Sequence, residues 1–182
     1  MSADLADFYL RQLRDDCLPF WFPRSVDEEH GGFLHCLDRD GSLVDSDKSV
    51  WAQGRMSWML LVLHLELERR PEWLAWAEGG LRFLEDKCAD PADGRLFFHV
   101  ARDGTPIRKR RYAYGESFAA IAFAAHAAAT GSDCSAQRAR ECFGRFTDWH
   151  FRPGRIPPKF TDARPIIGLG PRMIALVTAQ EL

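Results

Sequence analysis

No apolar run in the 182-residue chain approaches the ~18 residues that a membrane-spanning helix needs. The opening residues, Met1-Ser2-Ala3-Asp4, hold no basic stretch followed by an apolar one, so no secretory leader is expected. The five cysteines, at positions 17, 36, 88, 134 and 142, are odd in number and include no Cys-x-x-Cys pair. That argues against a disulfide framework or a cysteine zinc site and fits a reducing, cytoplasmic compartment. Cys134 and Cys142 stand eight residues apart, a helical spacing, and both are expected to be small buried residues. Charge of one sign is also scarce. The net charge is −2, which does not suit a nucleic-acid-binding surface. The one dense basic run, Arg108-Lys109-Arg110-Arg111, reads as a solvated loop edge. None of the spacings HExxH, GxSxG, GxxxxGK[ST] or GxGxxG occurs, which disfavours a zinc protease, a serine hydrolase or a nucleotide site. No metal site and no cofactor are expected.

What the chain does hold is apolar and aromatic. Hydrophobic residues make up 46%, with six Trp and thirteen Phe, enough for one packed domain over residues 1–182. Apolar spacing predicts a first helix over Asp4 to Phe22, stopped by Pro23. Gly32 to Leu37 reads as a short strand turning at Asp40-Gly41. Further helices are predicted over Ser49 to Arg69, Glu72 to Cys88, Ala113 to Thr130, Ser135 to His150 and from Pro171 onward, with a strand from Leu96 to Val100. The helix over Ala113 to Thr130, nearly pure Ala and Phe, is expected to be buried on all sides.

The order of these elements repeats. Arg39-Asp40-Gly41 returns as Arg102-Asp103-Gly104, and Trp51-Ala52-Gln53-Gly54-Arg55 lines up with Tyr112-Ala113-Tyr114-Gly115-Glu116, a period near 62. Each unit is helix, short hairpin, helix, and buries its apolar face only against a neighbouring copy. Three such units make an open arc, the expected first half of a larger α/α toroid.

The start of the second helix in each unit shares one address, at the mouth of that arc. It holds Lys48, Trp51, Gln53 and Arg55 in the first unit and Tyr112, Tyr114, Glu116 and Phe118 in the second. Aromatic faces beside hydrogen-bonding groups suit a sugar, which is flat and apolar on one face and rich in hydroxyls. Arg55 offers a planar fork of donors for a carbonyl oxygen or an enediolate, or it forms an ion pair with Glu116. His35 and His99 take matching hairpin positions and read as structural; His64 and His126 read as satisfied core histidines.

At Lys48 to Arg55 the sequence resembles the N-acylglucosamine 2-epimerase family of sugar epimerases and aldose–ketose isomerases. Phe20-Trp21 with Gly31-Gly32-Phe33, the stretch Tyr112 to Ala119, and Pro171 to Leu182 extend the likeness in order along the chain. The resemblance implies an all-α (α/α)6 barrel, of which this chain supplies the first six helices. It implies Arg55 as the catalytic group on the sugar's carbonyl oxygen, with Tyr114 and Phe118 lining the sugar pocket and Trp51 on the same mouth; Glu116, from its place at that mouth, is a further substrate-binding candidate. It implies proton abstraction next to the carbonyl by two histidines from the barrel's other half, so the fragment alone is expected to be inactive. On the sixth helix Val177 matches a position that is polar in many members. The partner it implies is a small sugar, with a homodimer as one option for assembly. Two other functions fit the residues: a non-catalytic helical interaction module, and an (α/α) glycoside hydrolase, for which Glu116 lacks a paired carboxylate.

Overall fold

The computed structural model describes residues 3–182, and they are mainly helical. The helices are α1 (Ala3–Gln12), α2 (Leu18–Trp21), α3 (Val50–Val62), α4 (Pro71–Lys87), α5 (Tyr114–Thr130), α6 (Asp133–Phe151) and α7 (Gly170–Gln180). A π-turn at Leu13–Cys17 joins α1 to α2 as one rod, and a second at Leu63–Leu67 extends α3. The strands are β1 (Cys36–Leu37), β2 (Leu43–Asp45), β3 (Lys48–Ser49), β4 (His99–Val100) and β5 (Pro106–Arg108). Helices α3, α5 and α7 lie in a row, α3 against α5 and α5 against α7. Helix α4 packs across α3 and α5, and α6 packs across α5 and α7. This is the alternating arrangement of an α/α arc.

The repeat is visible in the hydrogen bonds, with a spacing of 63. Val26 bridges Phe33 in the first unit and Ala89 bridges Leu96 in the second. Asp27 N–H donates to the Gly32 carbonyl and Asp90 N–H to the Arg95 carbonyl. Gly41 and Gly104 close the two hairpin turns at φ +86° and +96°, a region open to glycine and strained for most other residues. One link joins the units. Strand β3 pairs antiparallel with β4, Lys48 opposite Val100, so the first unit's strand completes the second unit's hairpin as a three-stranded sheet.

A buried ion pair fixes that joint. Lys48 is fully buried, and its Nζ donates to Asp27 Oδ2 at 2.8 Å and to the carbonyls of Gly31 and Arg102 at 2.6 and 2.7 Å. Arg102 adds a two-pronged contact on Asp27, at 2.9 Å to each oxygen. Burial opposes ionisation of Asp27, but the bonds from Arg102 and Lys48 outweigh it and hold the carboxyl well below its ordinary range. For Lys48 burial wins, and its ammonium is lowered.

Three expectations change. The strand foreseen from Gly32 is regular only at Cys36–Leu37, because the Gln53 side-chain amide takes both polar groups of Phe33. Helix α5 is buried over Glu116–Phe123 except at the half-buried Phe118, and its last turns from Ala124 onward are half-buried or exposed. Cys142 is buried as foreseen, whereas Cys134 lies in the first turn of α6 and is exposed.

Helices α3 and α5 meet backbone to backbone at Gly54. A methyl group there would sit 2.8 Å from the Phe118 carbonyl carbon. Gly54→Ala is therefore expected to lower stability by about 1–3 kcal/mol, the usual range for overpacking. Gly144 in α6 has open space around it. Gly144→Ala should instead raise stability by about 0.5–1 kcal/mol. Urea midpoints of the two variants check both signs.

Candidate functional site

The inner helices divide their first turns into two faces. Trp51 and Arg55 are one helical turn apart and share a face of α3; Tyr114 and Phe118 do the same on α5. Gln53 and Glu116 point the other way and are buried. Gln53 Oε1 accepts from Phe33 N–H at 2.7 Å, and Glu116 Oε1 accepts from Leu96 N–H at 2.9 Å. Those partners are again 63 apart, so Glu116 is the second unit's version of Gln53, and Phe118 stands where Arg55 does. The expected alignment of Arg55 with Glu116 was two residues out of step.

This corrects two expectations. Glu116, expected to bind substrate, is 1% exposed and holds the hairpin to the helix. Its ion pair is with Arg95, whose Nε lies 4.0 Å from Oε1, and among the described residues it forms none with Arg55. Burial pushes its carboxyl up, against the Leu96 N–H bond and the charge of Arg95. Lys48 and Gln53, expected at the mouth, are buried in the supporting network.

Of the other three expected residues, Trp51 and Phe118 gather at Arg55. Trp51 stacks on Phe118 with ring centroids 4.8 Å apart and planes at 13°. The Arg55 guanidinium carbon lies 5.4 Å from the Phe118 ring centre, and the side chain is exposed. Trp51, Arg55, His35, Trp21 and Met59 line a cleft of about 450 Å³. Tyr114 is on the far side of Trp51, in a second hollow of about 380 Å³ lined also by Tyr112, Phe98 and Arg110. Trp51 is a wall of both. Val177 is 57% exposed and borders Phe118 in a smaller recess. Among the described residues no group of three His, Cys, Asp or Glu is placed to hold a metal ion.

Residues 32–164 match the family profile described as N-acylglucosamine 2-epimerase (GlcNAc 2-epimerase). The chain belongs to the N-acylglucosamine 2-epimerase family. It is 37% identical over 139 residues to N-acylglucosamine 2-epimerase of Bos taurus, a match covering 74% of this chain and 33% of the relative. It is 32% identical over 123 residues to cellobiose 2-epimerase of Eubacterium cellulosolvens, covering 67% of this chain and 30% of that one. The chain thus spans about a third of the length of the curated relatives it matches. Among solved structures, cellobiose 2-epimerase from Spirochaeta thermophila DSM 6192 aligns at a TM-score of 0.77 and 26% identity, over 98% of this chain and 48% of that one. The fold is therefore that family's (α/α)6 barrel, present here in part.

In this family member the two inner helices start alike, each on an imidazole. Ser49 N–H, at the start of α3, donates to His35 Nε2 at 2.8 Å. Ala113 N–H, at the start of α5, donates to His150 Nε2 at 3.1 Å. His150 also stacks on Tyr114 at 5.1 Å and 14°. An accepting imidazole nitrogen must be unprotonated, and burial favours that state. Burial, the larger cause, and the neighbouring His99 lower His35. Burial, with Arg95, lowers His150 to about 4. In the sequence His35 and His99 take matching hairpin positions, and no motif marks a role for His150. The cue available was its place one turn after Phe146, on the side of α6 that turns toward Tyr114.

A pH dependence follows. Between ~6.5, the ordinary histidine value, and about 4 the unfolded chain binds a proton at this histidine and the folded chain does not. Stability falls as pH drops through that window. His150→Phe should lose about 1–3 kcal/mol at neutral pH, from the unpaired Ala113 N–H. The same variant should show a shallower loss on acidification. Urea midpoints across the window, compared with the unaltered chain, read both effects.

Proposed function

We propose that this chain forms part of the sugar site of a 2-epimerase or aldose–ketose isomerase, and that Arg55 holds the oxygen of the reacting carbonyl. The observation that carries the reading is the placement of Arg55, exposed in a cleft beside the stacked pair Trp51 and Phe118, in a chain of this family. A sugar lays its C–H face on an indole and turns its oxygens to the rim, where the guanidinium fork waits. Tyr114, beyond Trp51, lines the continuation of the site.

The chemistry follows from what a guanidinium does. Removal of the C2 proton moves its bonding electrons into the C1–C2 bond, and negative charge gathers on the carbonyl oxygen. A fixed cation with two N–H donors stabilises that charge more than it stabilises the neutral carbonyl. Return of a proton to the opposite face of C2 completes epimerisation; its return to C1, after transfer of a proton between the oxygens, gives the ketose. The proton carrier is a separate group, because Arg55 stays charged throughout. The family resemblance assigns that role to histidines outside this chain. The glycoside hydrolase alternative needs two carboxylates at the mouth, and Glu116, the candidate for one, is buried against Leu96 N–H.

The test is isotope exchange in heavy water on the complete protein carrying this chain, with N-acetylglucosamine, N-acetylmannosamine, mannose, fructose, cellobiose, N-acetylglucosamine 6-phosphate and glucuronate. Deuterium is expected at C2 of at least one sugar. Arg55→Ala should slow that exchange by about 10²–10³-fold, the scale of removing one such donor. Absence of exchange with every sugar contradicts the reading.

A further inference from the structure

The basic run Arg108 to Arg111 divides its labour. Lys109 is paired with Asp90 and Asp93. Arg111 lies over Tyr112 and donates to the Pro158 carbonyl. Arg110 is different. Its guanidinium carbon sits 3.7 Å from the centre of the Phe98 ring, so the ring supports one face of the fork and the N–H edges are left to the second hollow. Among the described residues no carboxylate lies within 4.0 Å of it, the distance that defines the ion pairs of this structure.

The backbone beneath Arg110 is fixed. The buried Arg95 donates to the Arg110 carbonyl at 2.7 Å and to that of Tyr112 at 3.2 Å, and Trp149 Nε1 donates to the Arg111 carbonyl at 2.7 Å. The hollow's walls include Trp51, Tyr112, Tyr114 and, from α7, Ile174. Its one carboxylate, Glu116, is engaged by Leu96 N–H and does not neutralise Arg110. Arg108 lies over the same Phe98 ring, 5.7 Å from its centre, and adds positive potential. Arg110 is exposed at the rim of the hollow. A guanidinium with one face covered by a ring and no carboxylate partner recognises a two-oxygen anion through paired charge-assisted hydrogen bonds.

We propose that the hollow beyond Trp51 binds an anionic substituent of the sugar, a phosphate or a carboxylate, and that Arg110 determines this specificity. The proposal rests on the sugar-site reading above and narrows its substrate to an acidic sugar that spans Trp51, with the reacting carbonyl on the Arg55 side and the anion on the Arg110 side.

Calorimetric titration of the complete protein tests it, with N-acetylglucosamine, N-acetylglucosamine 6-phosphate, glucuronate and inorganic phosphate as probes. One charged sugar should bind about tenfold more tightly than N-acetylglucosamine, the scale of one hydrogen bond to a charged group. Which sugar does so separates phosphate from carboxylate. In Arg110→Gln the advantage should fall to near parity; in Arg110→Lys, which keeps the charge and loses the fork, it should fall partway. In Arg108→Gln, outside the hollow, it should remain. Equal binding of charged and neutral sugars overturns the proposal. So does an advantage that survives Arg110→Gln, or one that Arg108→Gln abolishes equally, which marks a diffuse surface field. Deuterium exchange on the same samples separates the two readings. A charged-sugar preference without exchange removes the reaction and leaves the anion site; exchange without the preference removes the anion site alone.

Discussion

Everything at the mouth of the arc depends on how closely α3 and α5 approach at Gly54. With no side chain there, the helix backbone of the first unit rests on the Phe118 carbonyl of the second. One turn before and just after that contact stand Trp51 and Arg55, so both are brought against the Phe118 ring. A larger residue at 54 would separate the helices and open the stack. The packing thus sets where an indole face and a guanidinium meet, and those are the two groups that the proposed sugar site uses side by side. Tight packing of this kind leaves little room for the groups to drift.

Around that contact the fold uses paired devices, one per unit. Gln53 holds Phe33 and Glu116 holds Leu96, each tying a hairpin to its inner helix. His35 and His150 each accept the N–H at the start of an inner helix. Lys48, Asp27 and Arg102 bind the two units to each other. The last of these is a buried charge network, in which desolvation opposes the Coulomb attraction, so its clearest contribution is register rather than net stability. It holds β3 beside β4, and β3 leads directly into the turn that carries Trp51 and Arg55.

Much of this was legible in the residues themselves. The helices follow from 3.6-residue apolar spacing, and the repeat from the two Arg-Asp-Gly turns, which demand glycine at positive φ in the same place. The family motifs pointed to the surface that carries Trp51, Arg55, Tyr114 and Phe118. What failed was the division of each inner helix into two faces. Lys48, Gln53 and Glu116 are polar, and polar residues beside a mouth invite a functional reading. Whether a polar side chain faces the cleft or a buried backbone amide depends on the exact register of the repeat, and a shift of two residues exchanged Glu116 for Phe118. The β3–β4 pairing and the imidazole under α5 escaped for a related reason. Each joins segments far apart in sequence, and neither leaves a local pattern of spacing or turn residues to mark it.

The central claim is that Arg55 and Trp51 act on one sugar together. A crystal structure of the complete protein with a bound alditol, an open-chain mimic of the substrate, measures this directly. The account predicts the alditol's carbon chain against the Trp51 indole, with one of its first two oxygens within hydrogen-bonding distance of the Arg55 guanidinium. An alditol bound elsewhere, or one lying on Trp51 while Arg55 stays against Phe118 without touching it, would contradict it.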